Sequence, residues 1–331
     1  MKNDFPYNLL KRNQIISLIN KLAHLNEPFL FIIDYEAENG YVIPAKTIDY
    51  QYIKFSCPNN LSASSNKNDR HINWKIFPIS FQEYSSKFTY VREQIQQGNS
   101  FLVNLTQPTK VETNCTLEEI YDKCSAKYKL WLNKQFVVLS PESFVQISDG
   151  KIASFPMKGT IDAKILNAET TILNDAKEKA EHATIVDLIR NDLSIVSDNV
   201  HVKRYRYIEK LQTNKGELLQ VSSEIVGTLP TDYKAKLGEL ILSLLPAGSI
   251  SGAPKPKTVE IIKKAESYNR GFYTGIFGFF DGKTVDSAVM IRFIEQQENA
   301  LVFKSGGGIT SQSNVQKEYE ELIQKVYVPI N

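Results

Sequence analysis

The sequence predicts an α+β protein whose sheets are mostly antiparallel. Segments with the apolar pattern of strands outnumber the helical segments, and they come in runs instead of alternating strictly with helices. The chain has 331 residues, of which 42% are hydrophobic, so it can bury a substantial core. We find no internal repeat and no low-complexity tract. The sequence therefore favours antiparallel sheets over a doubly wound parallel sheet.

The first elements are predicted from short apolar runs and one helical stretch. Residues 28–34 form an apolar run of strand length, and residues 41–43 can pair with it. Residues 58–72 are rich in Asn, Ser and Asp, which indicates an exposed loop. We expect a helix over 80–97, followed by a strand over 101–106.

The middle of the chain is predicted to hold a hairpin, one long helix and a strand. Ser-Asp-Gly at 148–150 is a turn signal that joins strands 143–147 and 151–155. The pattern then predicts a single helix over 168–193 and a strand over 221–227.

The C-terminal third is predicted as a helix, three strands and a closing helix. The first helix begins after Pro254, since proline is tolerated in a first helical turn. Strands are expected over 272–280, 286–295 and 300–304. The closing helix, 315–327, carries apolar side chains at the spacing i, i+3, i+4, i+7: Tyr319, Leu322, Ile323 and Val326.

Charge and composition restrict the classes of protein that are possible. The net charge of +2 gives no overall attraction to nucleic acid or membranes, so an anionic ligand needs a local site. The N-terminus lacks the apolar core of a signal peptide, and no run of about 18 uncharged apolar residues occurs. Three cysteines without CxxC spacing argue against disulfides and a cysteine zinc site. We expect a cytoplasmic protein.

Two predicted helices each carry a pair of glutamates three residues apart. These are Glu178 with Glu181, and Glu318 with Glu321. The spacing puts both carboxylates of a pair on one helical face. Two such faces brought together could hold Mg²⁺, which prefers oxygen ligands and leaves positions for water or substrate. The alternative is a solvated surface, but the apolar run after Glu181 indicates a buried segment.

Lys158 lies in Phe-Pro-Met-Lys-Gly-Thr, just after a predicted strand. A lysine between Pro and Gly is often a simple turn residue. Its alternative role is an amine nucleophile, which requires desolvation or a neighbouring cation to lower its pKa.

Further candidate ligands are an arginine and two glycine-rich segments. Arg292 stands inside an apolar run, where it needs either a structural ion pair or a substrate carboxylate. The segments 246–255 and 305–309 each precede a predicted helix, so their backbone N–H groups could hold an anion. Neither segment matches a nucleotide-binding motif, and tight turns are the alternative for both.

Nine short sequence blocks, taken in their order along the chain, resemble the chorismate-binding family. This family includes anthranilate synthase component I, aminodeoxychorismate synthase component I, isochorismate synthase and salicylate synthase. The resemblance runs from about Gly98 to Val326, and nine blocks in the family's order make it specific. The blocks are VNLTQ, SPESF, FPMKGT, AEHATIVDLIRNDL, SISGAPK, RGFYTG, VMIRF, GGGIT and EYEE. It implies the family's fold, a large two-sheet antiparallel β-sandwich flanked by helices. Residues 76–331 would form the catalytic region, and the divergent residues 1–75 would contribute to the same domain.

The resemblance also implies roles for individual residues. Glu181 and Glu321 would ligate Mg²⁺, with Glu178 and Glu318 close by. The residues implied to bind chorismate are Arg292, Tyr273, Gly307 and Gly308 at a carboxylate, and Thr160, Ser251, Gly252 and Ala253 along the pocket.

The choice of reaction depends on Lys158. The aminodeoxychorismate branch has lysine at this position, whereas the anthranilate branch has alanine. In the aminodeoxychorismate branch, the lysine amine adds at ring C2 of chorismate as the C4 hydroxyl leaves, and ammonia then adds at C4. Glu142 matches the carboxylate that protonates the departing hydroxyl, a step that requires a general acid of raised pKa.

Two departures from the family pattern narrow the reaction further. Leu102 stands where the isochorismate and salicylate branches have a lysine that activates water. Gln220 replaces a histidine that is linked to pyruvate elimination in the anthranilate branch. Both departures favour amination without pyruvate release.

The ammonia must come from another chain, since no Gly-x-Cys-x-Gly glutaminase motif is present. A glutamine amidotransferase subunit is therefore implied as the partner. The expected activity is that of the aminodeoxychorismate branch, on the route to 4-aminobenzoate and folate. The alternatives are anthranilate synthesis and a non-catalytic chorismate-binding subunit, although binding alone would not require the nucleophile.

Overall fold

The computed structural model describes residues 5–58, 72–213, 216–298 and 300–329. Its strands, in chain order, are β1 (Leu10–Lys11), β2 (Phe29–Ile33), β3 (Asn39–Pro44), β4 (Ile53–Ser56), β5 (Trp74–Phe77), β6 (Leu102–Thr113), β7 (Tyr128–Leu132), β8 (Phe136–Ser140), β9 (Ser143–Ser148), β10 (Lys151–Ser154), β11 (Met157–Asp162), β12 (Asp198–Thr213), β13 (Gly216–Thr228), β14 (Gly252–Ala253), β15 (Ile276–Phe280), β16 (Val285–Val289), β17 (Phe293–Gln297) and β18 (Ala300–Ile309).

The helices lie between and after these strands. They are α1 (Arg12–His24), α2 (Phe81–Gln96), α3 (Leu117–Lys123), α4 (Ala168–Asn174), α5 (Ala176–Leu193), α6 (Leu237–Ser243), α7 (Lys255–Glu266) and α8 (Val315–Gln324). Short 3₁₀ turns occupy Ala45–Thr47, Tyr233–Lys236 and Gly248–Ile250.

The strands form two antiparallel sheets. The ten-stranded sheet has the order β1-β3-β2-β15-β16-β9-β10-β13-β11, with β12 also paired to β13. The eight-stranded sheet has the order β14-β6-β18-β17-β8-β7-β4, with β5 also paired to β6. The predicted fold class, α+β with two antiparallel sheets, is therefore confirmed.

A layer of apolar side chains separates the two sheets, and helices cover their outer faces. Alternate residues of β2 point in opposite directions: Leu30 and Ile32 pack between the sheets, while Phe29 and Phe31 pack under α1, α5 and α6. Because both faces of β2 are covered, its sequence is a continuous apolar run. Helices α2, α7 and α8 pack on the eight-stranded sheet.

The N-terminal residues add strands to both sheets. Strands β2 and β3 pair beside β15 in the ten-stranded sheet, and β4 pairs with β7 in the eight-stranded sheet. The division at residue 75 stays a prediction, and the predicted loop 58–72 lies almost entirely outside the described residues. Within the described residues, no helix combines the length and apolar character needed to cross a membrane.

The predicted helix 168–193 is wrong as a single element. It breaks at Asp175, whose backbone is extended and whose carboxylate accepts a hydrogen bond of 2.8 Å from the N–H of Glu178. Asp175 is thus the N-cap of α5. The Asp-x-x-Glu spacing was a signal for this start.

Two further strand boundaries differ from the prediction, and a residue with positive φ lies at each of them. The predicted strand 286–295 is split into β16 in one sheet and β17 in the other, and Arg292 at the crossing has φ of 51°. The predicted strand 272–280 begins only at Ile276, because Thr274 also has a positive φ of 61°. An apolar run alone carries no signal for either change of direction.

Candidate active site

Two adjoining cavities lie where α5 and α8 meet the ends of β11, β13 and β18. The large cavity has a volume of about 450 Å³, and the acidic cavity has about 350 Å³. Their common wall consists of Met157, Lys158, Glu181, Gln220, Gly308 and Lys325. A group in this wall can therefore act on contents of both cavities.

The acidic cavity brings together the four glutamates that the sequence singled out. Helix α5 supplies Glu178 and Glu181, and α8 supplies Glu318 and Glu321. Strand β18 lies close to α8 at Gly307. If Gly307 carried a Cβ atom, that atom would lie 3.4 Å from an oxygen of Glu318 and 3.7 Å from one of Glu321.

Two lysines stand against these carboxylates. The Lys158 amine lies 2.7 Å from Glu181, and the Lys325 amine lies 2.6 Å from Glu321 and 2.9 Å from the carbonyl oxygen of Gly306. Burial alone would lower the pKa of Lys158, but the nearby carboxylates, Glu181 foremost, outweigh burial and raise it above the ordinary lysine value. Lys158 is thus an ammonium ion here, opposite to the lowered pKa expected of a nucleophile.

The acidic cavity suits a hard divalent cation in chemistry more than in spacing. Among the described residues, no three His, Cys, Asp or Glu side chains converge closely enough to hold a metal ion. Its donors are nevertheless carboxylate oxygens, the ligands that Mg²⁺ prefers. Glu181 and Glu321 each face an ammonium group, and a cation would take its place. The residues fit Mg²⁺ once Glu181 and Glu321 give up their lysine partners and bind the metal ion instead.

The large cavity is lined by Arg292, Tyr273 and Glu142. The crossing between the sheets positions Arg292, whose guanidinium lies 5.0 Å from the centre of the Tyr327 ring. Within the described part of the chain, no carboxylate lies at ion-pair distance from Arg292. An anion bound in the large cavity could therefore pair with this side chain. Tyr273 is buried beside this arginine.

Glu142 is the carboxyl group of the large cavity. Burial raises its pKa above the ordinary value, although the hydroxyl of Ser249 and the charges of Arg292 and Lys325 act in the opposite direction. Ser249 donates a hydrogen bond of 2.5 Å to Oε1 of Glu142. A carboxyl group with a raised pKa can hold a proton near neutral pH and deliver it to a leaving group.

The structure does not bring Ser251, Gly252 and Ala253 to either cavity, and this prediction is corrected. The Ser251 hydroxyl is turned inward onto the carbonyl oxygen of Ala247 at 2.8 Å. Gly252 and Ala253 form β14, which pairs with β6. The cavity wall is made instead by the preceding residues, Ser249 and Ile250.

The other predicted binding residues all lie on a cavity. Thr160 is an exposed residue of β11 on the acidic cavity. Gly307 and Gly308 line the large cavity, but they belong to β18 and pair with β6, so the predicted turn before a helix is a strand. Strand β17 pairs with β18 only as far as Lys304, which leaves the glycine backbone facing the cavity.

Lys325 is a cavity residue that the sequence reasoning missed, and Ser249 was recognised only as part of the segment 246–255. Lys325 follows Glu321 by four residues, and that i, i+4 spacing on a helix was the available signal. The residues at the two departures from the family pattern are also on the site: Leu102 lines the large cavity, and Gln220 lines both.

Comparison with known proteins decides the family. The sequence pattern of the family described as chorismate binding enzyme matches residues 17–331, nearly the whole chain. The chain belongs to the chorismate-binding enzyme family. It is 48% identical over 315 residues to an uncharacterized PabA-like protein of Haemophilus influenzae, covering 95% of this chain and 96% of that relative.

Two more distant similarities bear on activity and fold. The chain is 31% identical over 260 residues to aminodeoxychorismate synthase component 1 of Salmonella typhimurium, covering 74% of this chain and 56% of that relative. It therefore spans little more than half the length of that enzyme. The crystal structure of anthranilate synthase component I from Streptococcus pneumoniae superposes with a TM-score of 0.67 at 21% identity, covering 98% of this chain and 81% of that one. This second likeness shows the fold alone.

Proposed function

We propose that this chain is the chorismate-aminating component of an aminodeoxychorismate synthase. It converts chorismate and ammonia to 4-amino-4-deoxychorismate and water. The observation that carries the proposal is the position of Lys158: a primary amine stands in the wall common to the large cavity and the acidic cavity. A chain that only bound chorismate would not require an amine there.

The large cavity supports binding of a dianion. Arg292 can grip one carboxylate of chorismate in a bidentate manner, with Tyr273 and the backbone of Gly307 and Gly308 beside it. Mg²⁺ held by Glu181 and Glu321, with Glu178 and Glu318 close by, would neutralise the ring carboxylate and polarise the ring. The remaining chemistry belongs to side chains of this protein.

The chain then supplies an acid and a nucleophile. Glu142 gives its proton to the C4 hydroxyl, which leaves as water. Lys158, after passing a proton to the nearby carboxylate of Glu178, forms a bond to ring C2 as both ring double bonds shift. Ammonia then bonds to C4, the double bonds shift back, and the lysine amine is expelled from C2. Atoms balance, since chorismate and ammonia give the amino product and water.

A partner subunit is proposed as the source of ammonia. A glutaminase needs a reactive thiolate, but the three cysteines of this chain are all buried. Burial raises the pKa of Cys124 to about 12 and also raises that of Cys57. A separate glutamine amidotransferase would therefore deliver ammonia to the large cavity.

One assay tests the proposal. The pure chain is incubated with chorismate, Mg²⁺ and an ammonium salt, and pyruvate and product mass are measured. Replacement of the hydroxyl by an amino group without pyruvate release is the expected result. Pyruvate release would instead point to anthranilate synthesis, and unchanged chorismate at every ammonium concentration would point to a binding subunit.

A further inference from the structure

The 3₁₀ turn Gly248–Ile250 forms part of the wall of the large cavity and carries Ser249. The hydroxyl of Ser249 donates to Oε1 of Glu142 over 2.5 Å. This contact joins two segments that lie 107 residues apart in the sequence. No motif of the sequence predicted it.

The turn that carries Ser249 is held firmly from the protein side. Gly248 packs tightly against Asp192, since a Cβ atom added at Gly248 would lie only 2.7 Å from an oxygen of that carboxylate. Asp192 is itself fixed by an ion pair of 2.8 Å with the Lys255 amine. On the other side, the carbonyl oxygen of Ile250 accepts hydrogen bonds from Arg270 at 3.0 Å and from Asn104 at 2.8 Å. Ser249 is therefore presented to Glu142 by a backbone with little freedom to move.

Glu142 is likewise anchored through its backbone. Its N–H donates to the Ser140 hydroxyl over 3.1 Å, and its carbonyl oxygen accepts from the N–H of Val289 over 3.2 Å. The charged groups that face its carboxyl are Arg292, at the crossing between the sheets, and Lys325, just after α8. A hydrogen bond donated to one carboxyl oxygen favours the proton on the other oxygen, because the carbonyl oxygen of a carboxyl group accepts more strongly than its hydroxyl oxygen.

We propose that Ser249 is the positioning residue for Glu142: its hydroxyl occupies Oε1, so the acidic proton resides on Oε2 and is directed toward the substrate. The inference rests on the proposed function, in which Glu142 protonates the departing hydroxyl. In this role Ser249 acts on the reaction by orienting the acid. It also stabilises the ionised carboxylate, because it donates a hydrogen bond to it.

Ser249→Ala and Ser249→Thr form a matched pair that tests this role. In Ser249→Ala we expect kcat for amination to fall about 10- to 100-fold, part of the gain that a positioned general acid provides, while KM changes less than about threefold. The alkaline limb of the pH profile should move to higher pH, because loss of the donated hydrogen bond raises the pKa of Glu142. Ser249→Thr keeps the hydroxyl and should restore both quantities.

Two results would overturn the inference. The first is that Ser249→Ala has the same kcat as the wild type and the same alkaline limb in its pH profile. The other is a loss of kcat with an unmoved limb that Ser249→Thr fails to restore, which would mean a purely structural role.

A second measurement does not depend on the reaction. Difference infrared spectroscopy follows the carbonyl stretch of protonated Glu142, assigned by its disappearance in Glu142→Gln. The midpoint of its titration should lie at higher pH in Ser249→Ala than in the wild type. An unmoved midpoint would reject the inference even if the chain aminates chorismate, and a moved midpoint in a chain that does not aminate would reject the proposed function alone.

Discussion

The two cavities share a wall but are held together in different ways. The wall of the large cavity depends on buried hydrogen bonds: Arg270 donates to the carbonyl oxygens of Ile250 and Asn104 and pairs with Glu266 at 2.5 Å. The acidic cavity depends on ion pairs between partly exposed side chains, Lys158 with Glu181 and Lys325 with Glu321. The first arrangement is fixed by folding, whereas the second can exchange one cation for another. The frame that orients a substrate and the charges that respond to it are thus separate parts of the site.

The largest effect is expected where the two cavities meet. Lys158→Ala should lower the rate of amination at least about 10³-fold, because the nucleophile is lost, while chorismate affinity stays within about threefold. Rate is measured by product mass and affinity by calorimetry. Lys325→Ala is the matched control, since it removes the other lysine of the wall and should retain far more activity. Full activity of Lys158→Ala would refute the covalent route.

Stability should distinguish the fixed frame from the exchangeable pairs. Arg270→Met leaves Glu266 buried without its partner, and we expect a loss of about 3–5 kcal/mol in the free energy of unfolding. Lys325→Met breaks a partly exposed pair and should cost less than about 1 kcal/mol. Urea denaturation measures both. Similar losses in the two variants would mean that the cavities are held alike.

Cation binding should show that the lysines compete with a metal ion. Lys325→Met removes a positive charge from the acidic cavity, so Mn²⁺, used as a probe for Mg²⁺, should bind about three- to tenfold more tightly without chorismate. Binding is measured by electron paramagnetic resonance of free Mn²⁺. Lys317→Met, an exposed lysine of the same helix, is the control and should leave the affinity unchanged. Equal affinities in the two variants would contradict the exchange.

The smallest effect concerns the stability cost of a buried acid. The pKa of Glu142 is raised in the folded chain, so the folded state holds this proton more tightly than the unfolded state does. The free energy of unfolding therefore falls as pH rises from the pKa of Glu142 in the unfolded chain through its pKa in the folded chain. Glu142→Gln should therefore melt slightly higher than the wild type at pH 8 and equally near pH 4. Glu320→Gln, on the surface of α8, should show no such trend. A melting difference that does not depend on pH would contradict the raised pKa.

Local spacing predicted the parts of the site that lie on helices. Glu178 with Glu181 and Glu318 with Glu321 were recognisable because three residues place two side chains on one helical face. Some strands, such as β2, were likewise recognisable from apolar runs, whereas β7, β8 and β12 were not predicted. The fold class followed from the order of those runs.

The parts that escaped prediction depend on contacts distant in sequence. The change of sheet at Arg292, the pairing of Gly307 and Gly308 with β6, and the contact of Ser249 with Glu142 all depend on which segment becomes the neighbour. No local pattern encodes that choice. The inward turn of Ser251 is missed for the same reason.

The common wall has a thermodynamic consequence. Lys158 and Lys325 contribute charge to both cavities, so a cation in one and an anion in the other are coupled through the same two ammonium groups. Coupling between two binding equilibria is reciprocal: whatever factor the cation adds to chorismate affinity, chorismate must add to cation affinity. In the proposed function, an ion that strengthens chorismate binding would be held more tightly while substrate is present and released more readily once the site is empty.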